Sequence, residues 1–91
     1  MFGSKRRRNA MHLMEEFHRK HARVLEAVDR GDCSSALDAY TLLVLRYASV
    51  RAIVDDVRPS QVSTELATSW RDTNKALHES QQAMRKCLCA K

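Results

Sequence analysis

Histidines and cysteines are the residues of this chain best suited to chemistry. His12, Glu15, His18 and His21 recur at every third position, and Glu15-x-x-His18 is the step with which helices of di-iron bundles hold metal. A helical wheel argues against such a site. At 100° per residue, His12 points about 160° away from Met14, whereas His21 falls within the apolar stripe. The carboxylates of Glu65, Asp72 and Glu79 lie off the inner stripe of the third helical segment, so facing ligands are missing. The expectation is therefore no metal ion and no cofactor. His21 reads as a core histidine bonded to a hydroxyl such as that of Thr73 or a tyrosine. His18 and His78 read as flank or surface residues.

Cys33, Cys87 and Cys89 are an odd set. Cys87 and Cys89 stand two residues apart and do not share a helix face. Free thiols in a reducing compartment are the expectation. An up-down-up topology would nevertheless bring Cys33 to the end of the bundle where Cys87 and Cys89 lie, so a disulfide from Cys33 to either one is the alternative. A metal or redox protein using its histidines or cysteines is the remotest functional reading. Arg30-Gly31-Asp32 spells an adhesion tripeptide, yet each residue has a structural role at a turn between helices. No nucleophile, base and acid are singled out by spacing. Ninety-one residues without a Gly-rich loop make a non-enzyme the expectation.

Charge is unevenly spread. The net charge is +5. Residues 1–23 carry seven basic groups against Glu15 and Glu16, and residues 24–84 carry six basic against nine acidic. Arg85, Lys86 and Lys91 make the end basic again. Lys5, Arg6, Arg7 and Arg8 form a run that reads as an interaction arm over residues 1–8, for nucleic acid, another polyanion or an acidic protein surface. No stretch approaches the ~20 apolar residues of a membrane span, and no apolar segment follows the basic start as in a secretory signal. A cytoplasmic location, or one within a macromolecular assembly, is expected rather than secretion. The Arg-rich, acid-poor start before Glu15 leaves organellar targeting open.

These side chains need a scaffold, and breaks at Gly31 and Pro59 divide it into three helical segments of residues about 10–30, 33–57 and 61–89. The first has Met14, Phe17, His21, Val24, Leu25 and Val28 on one stripe, with Asn9 as N-cap and Gly31 as stop. The second, capped by Asp32 or Ser34, has Ala36, Tyr40, Leu43, Val44, Tyr47, Val50 and Val54. The third, capped by Ser60 or Ser63, has Leu66, Trp70, Thr73, Leu77, Met84 and Leu88. Low aromatic content argues against a sheet. Short connections make neighbours antiparallel. The fold class is all-α: residues 9–91 form one antiparallel three-helix bundle, or a long helical hairpin with a docked third helix.

The second helix carries more apolar residues than one stripe needs. Leu42, Leu45, Ser49 and Ile53 form a second seam on its far side, at i, i+3, i+7 and i+11. A helix apolar nearly all round is buried all round, either within the bundle or against a partner. The functional expectation is a non-enzymatic structural or adaptor subunit of a larger assembly, such as a virion or secretion-system part. It would bind a protein partner, or a second copy, through Leu42, Leu45, Ser49 and Ile53. The alternative is a small nucleic-acid-binding protein acting through its basic tail.

Overall fold

The computed structural model describes residues 2–57 and 62–89, with side chains at 8–57 and 62–88. Three helices follow in order: α1 (Phe2–Asp29), α2 (Cys33–Asp56) and α3 (Thr64–Cys89). They form a three-helix bundle 50 Å long and 16 Å across. No described residue lies in a strand, and among the described residues no helix is long and apolar enough to cross a membrane. Pro59, Ser60 and the side chains of Lys5, Arg6, Arg7 and Cys89 lie outside the described residues.

The turn between α1 and α2 follows from three residues. Gly31 adopts φ +74°, a region open to glycine without a Cβ penalty. The amides of Gly31 and Asp32 donate to the carbonyls of Val28 (3.0 Å) and Ala27 (2.9 Å), closing α1 with a Schellman motif. Asp32 then caps α2, its carboxylate accepting from the Ser35 amide at 3.1 Å and hydroxyl at 2.8 Å. These two bonds hold the Asp32 carboxyl below its ordinary value. At the third helix, the Leu66 amide donates to Ser63 Oγ at 3.0 Å, which settles the cap on Ser63.

One boundary differs from expectation. Asn9 does not cap α1, because the helix already runs from Phe2 through the basic run. The backbone of residues 2–8 is thus a continuation of α1 rather than an arm ahead of it. Lysine and arginine are good helix formers, so a helix nucleated on the core propagates through them. A cation near the positive end of a helix dipole costs about 0.3–1 kcal/mol at low salt and less when screened, too little to stop the helix.

The central element is α1, which packs broadly on both α2 and α3, while those two touch each other least. One buried cluster joins Phe17, Val24, Ala27, Ala36, Ala39, Leu43, Ala76 and Met84. A second joins Ala10, Met14, Val50 and Leu66, with Ile53 and Trp70 partly buried against it. Tyr47 links α2 to α3: its ring stacks on Trp70 at 5.1 Å, and its hydroxyl donates to Asn74 Oδ1 at 2.5 Å. Trp70 is therefore half-buried rather than the centre of the core. Leu25, Val44 and Leu88, read from periodicity as core, are exposed. With two neighbours per helix, only the middle of each stripe is covered.

Candidate docking site

The outward face of α2 carries a group of exposed apolar side chains. Leu42 is 46% exposed, Leu45 58% and Leu37 51%. Its hydroxyl residues do not make this face polar. Ser49 Oγ donates to the Leu45 carbonyl at 3.1 Å and Thr41 Oγ1 to the Leu37 carbonyl at 2.9 Å. Both hydroxyls are thereby satisfied on their own helix. Of the expected seam, Leu42, Leu45 and Ser49 lie together on the surface, while Ile53 turns inward onto the second cluster. Periodicity alone missed Leu37 and misplaced Val44, because a helix apolar on both sides offers no contrast from which to find its inner face.

Beside this face runs a trough between α1 and α2. One stretch is lined by Lys20, Arg23, Ala27, Arg30, Ala39 and Leu42, with Glu26, Ser35 and Asp38 completing it. The adjoining stretch shares Lys20 and Arg23 and adds Glu16, Arg19 and Arg46. The two walls are bridged by Arg46 Nε to Glu16 Oε2 at 2.8 Å. His12 Nε2 approaches the other Glu16 oxygen at 3.2 Å. Near the turn, Arg30 pairs with Glu26 at 3.1 Å. These cations were not found as a group from sequence, because only the register between α1 and α2 gathers Arg46 with Arg19, Lys20 and Arg23.

The basic run lies at the far end of α1, where Arg8 is exposed. Because the helix is continuous, Arg8, Arg19 and Arg23 stand on one rigid rod, with about 22 Å of rise from the first to the last.

The residues considered for metal or redox chemistry divide differently. Among the described residues no group of three or more His, Cys, Asp or Glu converges as metal ligands. His21 is not bonded to Thr73. It is His18 Nε2 that reaches Thr73 Oγ1, at 3.5 Å, while Thr73 donates to the Ser69 carbonyl at 2.8 Å. His21, with its side chain 14% exposed, faces Glu79 Oε2 at 3.6 Å. Its buried Nε2 and the buried Ser80 Oγ have no hydrogen-bond partner among the described residues. Burial lowers the His21 pKa below its ordinary value, with Glu79 pulling upward and His18 downward.

The expectation of free thiols is overturned at two positions: Cys33 and Cys87 are disulfide-bonded, with Cα atoms 5.5 Å apart. The up-down-up path delivers the start of α2 and the end of α3 to one end of the bundle, within bridging distance.

The chain matches no protein-family model, and neither a curated protein nor a solved structure is significantly similar to it.

Proposed function

We propose that this chain is a non-enzymatic helical subunit of a larger assembly, docking on a protein partner through the outward face of α2. The observation that supports it is the exposure of Leu42 and Leu45 on a helix whose inner face is already filled by Ala36, Ala39, Leu43 and Val50. Leaving two half-exposed leucines wet forgoes on the order of 1 kcal/mol each. Structural parts of virions and adaptors of secretion systems share this description by type.

The test is the double variant Leu42→Glu/Leu45→Glu, followed by sedimentation and circular dichroism. Both residues are outside the core, so helicity is retained while association, with itself or with a partner from the native source, is lost. Loss of helicity places the seam in the monomer core and removes the reading. A wild-type monomer with no partner contact at these residues removes it equally.

A second reading, polyanion binding through α1, draws support from the helix that runs from Lys5, Arg6, Arg7 and Arg8 to Arg19 and Arg23. Repeated basic residues along a helix are the electrostatic footprint of such binding. A salt-dependent shift of a labelled DNA duplex that disappears when Lys5 to Arg8 become alanine favours this reading.

A further inference from the structure

Arg19, Lys20 and Arg23 cluster within about one and a half turns of α1 and make no ion pair with any described residue. They stand on one wall of the trough, and Leu42, one turn from Leu45, stands on the other. Between them the floor is small: Ala27 and Ala39 are buried, at 2% and 9% exposure.

We propose that this trough seats one amphipathic acidic helix of a protein partner. Its apolar side would lie on Leu42 and Leu45, and its aspartates or glutamates would face Arg19, Lys20 and Arg23. The proposal rests on the α2 docking reading and names the occupant of that site.

Each property of the trough selects this occupant. Alanines in the floor let a third helix axis approach to the ~8–10 Å of ordinary helix packing. The trough extends along α1 from Glu16 to Arg30, about 21 Å or four turns, so it matches a helix of roughly 14 residues. Its ends are electrostatically closed, Arg46 by Glu16 and Arg30 by Glu26. The charge left over is three cations against Asp38, which favours an acidic partner and rejects a basic one. Nucleic acid would satisfy the cations but leave Leu42 and Leu45 wet. A second copy of this chain is poorly suited, because the apolar stripes of its α1 and α3 are committed to its own core.

The experiment selects on the immobilised full chain from a displayed library of 14-residue helical peptides. Leucine is fixed at i, i+3, i+7 and i+10, and the flanking positions are free to be acidic, neutral or basic. Binders rich in Asp and Glu on one edge are expected. The affinity of a synthetic winner should fall tenfold or more in Arg19→Gln/Lys20→Gln/Arg23→Gln, a variant expected to keep its helicity. It should fall similarly in Leu42→Ser/Leu45→Ser. Neutral or basic winners, no winners, or acidic winners indifferent to the three cations would overturn the proposal. So would a DNA duplex that displaces the winner with higher affinity. The two readings fail separately. If Leu42→Glu/Leu45→Glu abolishes association while no acidic helix is selected, the docking face stands and the acidic occupant falls.

Discussion

The two ends of the bundle are built differently. At the α1–α2 turn end, chain direction is reversed by a glycine in the left-handed region, and a shared Asp32 caps the next helix. The Cys33–Cys87 bond ties α3 to the same place. The core there is made of Val24, Leu43, Met84 and alanines around Phe17. At the opposite end, the buried cluster among the described residues is Ala10, Met14, Val50 and Leu66. It is fringed by half-covered side chains such as Trp70, Val54 and Val57. One end is tied covalently as well as by local caps; among the described residues, the other relies on the Ser63 cap and side-chain area. The trough sits alongside the constrained end, with Leu42, Ala39 and Arg30 near the turn. A docking surface fixed before it meets its partner loses less entropy on binding.

The largest expected effect breaks the constrained end. Cys33→Ser/Cys87→Ser opens a loop of 54 residues. On the chain-entropy model this costs about 4 kcal/mol. A small domain has little more than that to lose. Thermal melts of the wild type with and without reductant should differ by a large drop in Tm, matched by the double variant without reductant. Equal melts would mean that the bond adds nothing, and the two ends would be equivalent. A persistent bond also supports an oxidising location over the cytoplasmic expectation, because cytosolic thiols are kept reduced.

Trp70 and Leu43 sharpen the contrast at the next level. Leu43 is fully buried in the turn-end cluster, so Leu43→Ala should cost about 2–5 kcal/mol. Trp70 is larger but half-exposed, and it lies on Tyr47 rather than inside the cluster. Trp70→Ala should cost about 2 kcal/mol, below the value for a buried tryptophan. Urea titrations of the two variants rank them. A greater loss for Trp70→Ala would make the open end the stability centre.

What could be read from sequence follows the range of the interaction. Gly31, Asp32 and Ser63 act on residues at most five positions away, so their turn and caps were legible as types and spacings. Leu43, Val50 and Leu66 were legible because each sits at the middle of its stripe. Asn9 misled because a cap residue is a local signal, whereas a helix continues wherever its neighbours favour it. The Cys33–Cys87 pairing and the gathering of Arg46 with Arg19, Lys20 and Arg23 depend on interhelical register, which no single helix encodes. The pairing was open as one of two possibilities, and the trough was not visible at all. His21 was rightly placed near the core but given the wrong partner, since the hydroxyl of Thr73 lies by His18 instead.

The smallest expected effect concerns the α1–α3 seam between the two ends. His21 is mostly buried there, and burial lowers its pKa from the ordinary 6.5. Below pH 6.5 the unfolded chain takes up a proton that folded His21 resists. Folding therefore becomes less favourable as pH falls from 6.5 toward the lowered folded value, and this contribution is fully present above 6.5. The wild type should melt at a lower temperature at pH 5.5 than at pH 7.5. His21→Gln should reduce that difference, because the titrating group is gone. Glu79→Gln should enlarge it, because the carboxylate 3.6 Å away is what favours the charged ring. Opposite changes in the two variants separate His21 from the other histidines and the surface carboxylates, whose titration both variants share. If the two variants shift the pH dependence in the same direction, His21 and Glu79 do not form the coupled pair that the seam places together.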